Sequence, residues 1–182
     1  MMKKIALSLI VASMALAGVA HATPGTGGGA LTITGEVIPG TCDISGNGGG
    51  NNFSVPLPPV WASQLAVAGS FAGGTGFDIT LTNCNPDSGK VHTFWEYGAN
   101  TLSNGNLKNN GTATSVEVQL LDYNGTESLL DLSKADGAQG SQGVTLTSGA
   151  ARLQYSARYV SPKGSAGPGS VTTSVTYSII YE

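Results

Sequence analysis

The sequence has little charge and almost no histidine. Only 10% of its 182 residues are Asp, Glu, Lys or Arg, and its two histidines are His21 and His92. No serine lies at the centre of a Gly-x-Ser-x-Gly motif, and the acidic residues lack the spacing of a calcium loop or of a paired acid–base site. We therefore predict no catalytic residue, no metal site and no cofactor. The scarcity of Lys and Arg also argues against a nucleic-acid partner.

Long apolar runs are equally scarce, and the one present lies at the start of the chain. It covers residues 5–19, follows Lys3 and Lys4, and leads into Ala20-His-Ala22, a small-x-small cleavage pattern. Because a membrane-spanning helix needs about 20 apolar residues, we predict an export signal over residues 1–22 and not a membrane anchor. The chain that remains carries 6 basic and 11 acidic side chains, a formal charge of −5.

Cysteine is limited to Cys42 and Cys84, both of which follow the export signal. An even pair in an oxidising compartment predicts one disulfide. The loop that it would close spans 42 residue steps, for which the chain-entropy model gives a stabilisation of about 4 kcal/mol. Two free thiols or half of a metal site are the alternatives.

Glycine dominates the first residues after the export signal. Residues 25–30 match the loose dinucleotide fingerprint Gly-x-Gly-x-x-Ala, but they lack the preceding strand and following helix that would give it a phosphate-binding geometry. Leu31 and Ile33 then alternate with threonines at the two-residue period of a strand that has one apolar face. The composition predicts a flexible arm that ends in a strand.

Short alternating segments separated by turn residues fill most of the remaining chain. Only residues 60–68 have a composition compatible with one or two helical turns. Asn124-Gly125 predicts a hairpin turn. The pattern predicts an all-β antiparallel sandwich with Greek-key connections. The expected strands include residues 42–44, 53–57, 77–81, 91–97, 116–120, 144–146, 151–159 and 171–182.

Several motifs together give the chain a family resemblance. They are Gly35-Glu-Val37 ahead of Cys42, the block Phe77-Asp-Ile-Thr-Leu-Thr-Asn-Cys84, Ala157-Arg-Tyr159 and the alternating C-terminal strand. Counted backwards from Glu182, Gly169 is the fourteenth residue and Tyr181 the second. Over nearly the whole chain after residue 22, the sequence resembles the major pilin subunits of chaperone-usher fimbriae, in particular type 1-like pilins.

The resemblance implies an incomplete immunoglobulin-like sandwich, made without its last strand, with a groove open beside its C-terminal strand. A periplasmic chaperone would lend a strand to this groove, and an outer-membrane usher would let the N-terminal extension of the next subunit replace it. The extension would cover residues 23–35 and the pilin domain residues 36–182. The implied donor residues are Gly27, Gly29, Leu31 and Ile33, and the implied chaperone and groove-strand residues are Gly169, Val175, Tyr177, Ile179 and Tyr181.

By the same resemblance, the function would be that of a structural subunit, without enzymatic activity. Subunits would be exported through the periplasm and joined head to tail in a cell-surface fimbrium that supports adhesion, with a host-surface receptor left open as a further partner. A minor adaptor or adhesive fimbrial subunit is the first alternative. A self-complete exported sandwich that acts as a binding domain is the second.

Overall fold

The computed structural model of the protein describes residues 32–34 and 40–182. The three residues of the first range are exposed, Ile33 at 84%. Several predictions fall outside the described residues. These are the export signal over residues 1–22, the donor residues Gly27, Gly29 and Leu31, and the motif Gly35-Glu-Val37.

Residues 40–182 form nine strands and one 3-10 turn. The turn, Ala62–Leu65, lies within the segment for which the sequence allows a short helix. Among the described residues, no helix has the length and apolarity needed to cross a membrane. The strands are β1 (Thr41–Gly46), β2 (Ser70–Asn85), β3 (Lys90–Trp95), β4 (Leu107–Lys108), β5 (Glu117–Asp122), β6 (Ser128–Leu129), β7 (Val144–Thr145), β8 (Ala151–Ser161) and β9 (Tyr177–Tyr181).

The strands make two antiparallel sheets. The larger has the order β1-β2-β8-β5-β4, with β6 paired to β5, and the smaller has the order β7-β3-β9. The turn at Asn124-Gly125 connects β5 to β6, as predicted, because Asp122 pairs with Ser128 across it. The all-β sandwich expected from the sequence is confirmed.

Alternation decides which side chains of the long strands enter the core. Ile79 and Leu81 of β2 are fully buried, whereas Asp78 lies on the outer face and accepts a hydrogen bond from Arg152 on β8 at 3.3 Å. Ile79 lies opposite Leu153, which is also fully buried. Burial of each such side chain stabilises the sandwich by about 1.5–3 kcal/mol.

Cys42 and Cys84 form the predicted disulfide. They lie on β1 and β2, two neighbouring strands of the larger sheet, so the bond fixes the start of β1 against the end of β2. The disulfide rules out both alternatives that the sequence left open, free thiols and a metal-bound pair.

The C-terminal segment departs from the sequence prediction. Its alternation continues from residue 171, but the strand β9 begins only at Tyr177. The prediction of a strand over residues 171–176 is wrong, because β3, which pairs with β9, ends at Trp95, opposite Tyr177. The alternation itself persists there as alternating burial, with Val171, Thr173 and Val175 half-buried and their neighbours exposed.

Candidate functional site: an open groove beside the C-terminal strand

A groove of about 790 Å³ lies between two extended segments, residues 51–57 and 171–177. These two segments form its walls, and side chains from both sheets form its floor. Among the described residues, no charged side chain lines it. The floor residues are Ile44, Phe77, Trp95, Leu107, Val118, Leu120, Ala157 and Tyr159.

The first wall lacks the backbone donors that would let it pair as a strand. Phe53, Val55 and Leu57 alternate toward the core and are half-buried. Pro56 lies among them, and Pro58 and Pro59 follow. Because proline has no N–H group, this wall cannot form a continuous ladder with a neighbouring strand. The apolar side chains of this wall therefore line the groove, but its backbone does not close the groove by pairing with a neighbouring strand.

The second wall directs half of its backbone groups away from the groove. Thr172 accepts a bond from the N–H of Asn110 at 2.8 Å and donates its own N–H to Asn109 Oδ1 at 3.0 Å. The carbonyl of Ser174 accepts a bond from Asn100 Nδ2 at 2.9 Å, and that of Thr176 accepts one from the N–H of Glu96 at 2.8 Å. The even-numbered residues of this wall are thus held by the loops that follow β3 and β4.

The odd-numbered residues present the opposite backbone edge to the groove. Successive residues of an extended chain direct their N–H and C=O groups to opposite sides. Among the described residues, Val171, Thr173 and Val175 have no backbone hydrogen-bond partner. This unpaired edge continues into β9. One edge of β9 pairs with β3, and in the described part of the chain no strand pairs with the other edge. An edge of this kind is a template for another strand.

Aromatic rings fill the groove where it meets β9. The Tyr177 ring centroid lies 5.9 Å from that of Phe53 and 6.0 Å from that of Trp95, and Phe53 lies 5.9 Å from Phe77. The Tyr177 hydroxyl donates a bond to the carbonyl of Asn51 at 2.8 Å. Burial raises the pKa of Tyr177, so this hydroxyl stays protonated and able to donate. The aromatic cluster joins the two walls at this end.

Beyond Tyr177, the C-terminal strand is attached to the disulfide. The Tyr181 hydroxyl donates a hydrogen bond to Cys42 Sγ at 2.8 Å. Its ring covers Gly40, where an added Cβ would lie 2.6 Å from a ring carbon. The sequence reasoning treated the cysteine pair and the penultimate tyrosine as separate features. The contact between them joins residues 139 positions apart, and no local pattern could have indicated it.

Comparison with known proteins agrees with this geometry. A family model described as type-1 fimbrial protein A matches residues 57–182. The major fimbrial subunit SMF-1 of Stenotrophomonas maltophilia (strain K279a) is 42% identical over 159 residues, which make up 84% of this chain and 92% of the relative. The chain belongs to the type-1 fimbrial protein family.

Solved structures support the fold of this fimbrial subunit. A chain from a chaperone-usher pilus covers 89% of the subunit at 20% identity, with a TM-score of 0.59, and is itself covered completely. The P pilus rod subunit PapA covers 78% at 19% identity, with a TM-score of 0.52 and 99% of its own length matched. The fold is thus an incomplete immunoglobulin-like sandwich. The family assignment makes the protein a structural subunit of a surface fimbrium.

Gly169 of the fimbrial subunit lies outside the groove, in the loop before the second wall. A Cβ at this position would lie 2.4 Å from the backbone nitrogen of Ala113 and 2.6 Å from the carbonyl carbon of Thr112. Its φ of +155° is also one that favours glycine. The steric contact with the backbone of residues 112–113 is by itself enough to require glycine at this position. Sequence reasoning missed this packing role because it depends on a loop that is distant in the sequence.

His92 of the subunit is buried between two carboxylates. Its Nδ1 lies 2.8 Å from Glu182 Oε1, and its Nε2 lies 2.8 Å from Asp136 Oδ1. The hydrogen bond from His92 is the main reason that the pKa of Asp136 lies below its ordinary value. Both ring nitrogens are occupied, so the imidazole serves to connect the end of β9 to the loop before β7. The sequence gave no indication of either partner of His92.

Proposed function

We propose that this subunit polymerises by donor-strand exchange, in which residues 23–34 of one copy fill the groove of the next. The observation that carries the proposal is the open backbone edge along residues 171–181, beside a groove that has an apolar floor and, among the described residues, no charged side chain. Leu31 and Ile33 share one face of the expected donor strand with Gly27 and Gly29. The family assignment adds support, since its members are fimbrial subunits.

The energetics favour such an exchange. Burial of Leu31 and Ile33 would contribute about 1.5–3 kcal/mol each, and each new ladder hydrogen bond about 0.5–1.5 kcal/mol before ordering costs. The donor segment and the groove are different surfaces of one chain. Each contact is therefore heterologous and leaves another donor and another groove free, which produces an open fibre.

Assembly in this proposal begins in the periplasm. Residues 1–22 direct export, the disulfide forms in the oxidising compartment, and a periplasmic chaperone holds the groove until an outer-membrane usher exchanges its strand for the next extension. Gly169 and Tyr181 assist chaperone capture, with Val175, Tyr177 and Ile179 along the receiving edge. The subunit has no enzymatic activity, and the finished fimbrium supports adhesion, with a host-surface receptor as a further partner.

Deletion of residues 23–34 tests the proposal. The truncated subunit should fold and co-purify with the chaperone, because its groove and disulfide are intact, but it should form no fibres under the electron microscope. A finer pair replaces the apolar row, Leu31→Thr with Ile33→Thr, or the opposite row, Thr32→Ala with Thr34→Ala. Fibres should be lost only with the first pair. Long fibres from the deleted chain would contradict the donor assignment.

A further inference from the structure

The groove contains one inward-facing hydroxyl that its apolar surroundings do not explain. Thr173 is half-buried and lines the groove, and its Oγ1 is buried without a hydrogen-bond partner among the described residues. The other inward residues of the same row are Val171, Val175, Tyr177, Ile179 and Tyr181. Burial of a hydroxyl without a partner is unfavourable. Valine would fill nearly the same volume without that cost.

A second buried polar atom in the groove has a different environment. Trp95 Nε1 also lacks a partner in the described part of the chain. Its indole ring, however, meets Tyr155 edge-on at 5.2 Å and Phe77 edge-on at 6.2 Å. Aromatic faces are weak acceptors for such groups. Thr173 is in none of these aromatic contacts, so its hydroxyl is the one that an incoming strand would satisfy.

We propose that Thr173 Oγ1 hydrogen-bonds the main chain of the inserted segment of a second copy, beside a glycine of its inward row. The inference rests on the proposed donor-strand exchange. A threonine side chain is short, so it can reach a neighbouring backbone only where that strand carries no inward side chain. In residues 23–34, Gly27 and Gly29 provide such positions, whereas Leu31 and Ile33 do not.

This bond would fix the register of insertion. A slip of one residue turns Leu31 and Ile33 out of the groove, so the apolar pattern excludes it. A slip of two residues keeps the same face inward, and the apolar pattern does not exclude it. If that slip brings Leu31 beside Thr173, the hydroxyl stays unpaired. Thr173 carries the one hydroxyl of the row that is buried without a partner among the described residues, so it discriminates between registers that the apolar positions accept equally.

The test compares Thr173→Val and Thr173→Ser in the full-length protein, with Thr172→Val as the outward-facing control. Fibres of Thr173→Val should dissociate in denaturant about fivefold faster than wild type, the effect of one lost hydrogen bond, while the other two variants stay close to wild type. The isolated Thr173→Val subunit should be at least as stable as wild type, since an unpaired buried hydroxyl is removed. A substitution that weakens the fibre without weakening the isolated subunit indicates that Thr173 recognises the inserted strand, because loss of a merely structural residue would lower the stability of the isolated subunit as well.

Alanine substitutions in the donor identify the partner glycine. Gly27→Ala and Gly29→Ala are each made in the wild-type and Thr173→Val chains. At the glycine beside Thr173, alanine should speed fibre dissociation in the wild type and have little further effect in the Thr173→Val chain. Equal effects in both backgrounds, or Thr173→Val fibres as persistent as wild type, would overturn the inference. Fibres that form without residues 23–34 would instead refute the exchange itself.

A separate observation concerns the four Asn-Gly pairs of the chain. In three of them the asparagine carboxamide is held. Asn104 Nδ2 donates to Glu117 at 2.8 Å, Asn110 Nδ2 donates to Asn100 at 2.8 Å, and Asn124 Oδ1 accepts the N–H of Gln154 at 2.6 Å. Asn47 is exposed, and among the described residues its side chain has no hydrogen-bond partner. A Cβ at Gly48 would meet nothing within 4 Å.

We infer that Asn47 is the site of spontaneous deamidation in this protein. The Gly48 nitrogen attacks Asn47 Cγ, the new C–N bond closes a succinimide, and the carboxamide nitrogen leaves as ammonia. Water then opens the ring to aspartate or isoaspartate, which adds one negative charge. Asn47 donates its N–H to the carbonyl of Asp78, and the same loop supplies the Asn51 carbonyl that binds Tyr177. An isoaspartate would therefore lengthen the backbone beside the groove.

Peptide mapping by mass spectrometry tests this assignment on assembled fibres kept at mildly alkaline pH. Asn47 should show the mass increase of an amide-to-acid conversion before the other three asparagines do. Gly48→Ala should slow the conversion at Asn47 and leave the other sites unchanged. Earlier modification at Asn104, Asn110 or Asn124, or equal rates at all four, would overturn the assignment.

Discussion

Two halves of the C-terminal segment share one sequence pattern but differ in structure. Residues 171–176 alternate apolar and polar side chains, and Tyr177–Tyr181 continue the pattern except at Ile180, yet only the second half is a strand. The second half pairs with β3, while the first half lies beyond Trp95, where β3 ends. Asparagine side chains bind its outer edge instead, as Asn109 does at Thr172. Alternation therefore specifies the face of a segment, and a partner decides whether it becomes a strand.

The two halves also differ in how they are anchored. Tyr181 at the end of the second half contacts the disulfide, and Glu182 binds His92. The first half is held by loop backbone and asparagine side chains and lines the groove. Both halves have the same unpaired edge among the described residues. The second half is thus fixed to the rest of the subunit, whereas the first half lines the groove that would receive an inserted strand.

Removal of the disulfide should have the largest effect. A variant with Cys42→Ala and Cys84→Ala loses a bond across 42 residue steps, and we expect the free energy of unfolding to fall by about 4 kcal/mol. Urea unfolding followed by tryptophan fluorescence measures it. Wild type treated with a reductant should behave like the variant. Equal midpoints for oxidised wild type and the variant would show that the anchored half does not depend on the bond.

Gly169 lies in the loop before the first half. Gly169→Ala should lower the free energy of unfolding of the isolated subunit by about 2 kcal/mol or more, because the added Cβ meets the backbone of Thr112 and Ala113. Gly98→Ala is the matched control, because a Cβ there has open space around it. Urea unfolding of the isolated subunit measures both variants. If Gly169→Ala unfolds like wild type but is captured poorly by the chaperone, recognition and not packing requires this glycine.

Shortening one side chain in each half should affect the stability of the isolated subunit and the dissociation of the fibre differently. Ile179→Ala removes a side chain packed on the core away from the groove, and should cost about 2 kcal/mol in the isolated subunit. Val175→Ala removes a groove-lining side chain and should cost about 1 kcal/mol there, because two methyl groups that are only half-buried are lost. In fibres, where a donor strand would cover the groove, we expect Val175→Ala to have the larger additional effect on dissociation. The same additional effect for both variants would contradict the distinction.

Much of the fold could be predicted from local pattern. The alternation in β2 and β8 identifies their buried residues, and the cysteine count identifies the disulfide, because each signal lies in a short stretch or in a simple inventory. The extent of β9 could not be predicted. It depends on where β3 ends, some 80 positions away, and the alternation of residues 171–176 contains no information about that partner.

The site was predicted less completely than the fold. Tyr177, Ile179 and Val175 lie along the open edge, and the groove-strand role that the resemblance implies for them stays a prediction. The contacts of Tyr181 with Cys42, of Gly169 with Ala113 and of His92 with Glu182 could not be foreseen. Each joins residues that are more than 50 positions apart, and each depends on the packing of loops, which periodicity does not describe.

Loss of the Asp136–His92 hydrogen bond should give the smallest effect, one that is present near neutral pH and disappears in acid. Since His92 holds the pKa of Asp136 below its ordinary value, this carboxylate contributes stability above the unfolded pKa, near 3.9, and the contribution is lost as the pH falls through the lower folded pKa. We expect the unfolding free energy of wild type to fall more steeply below about pH 4 than that of His92→Gln or Asp136→Asn. The double variant should resemble either single variant, because both remove the same hydrogen bond. Parallel pH profiles for all four proteins would show that this tether does not contribute to holding the end of β9.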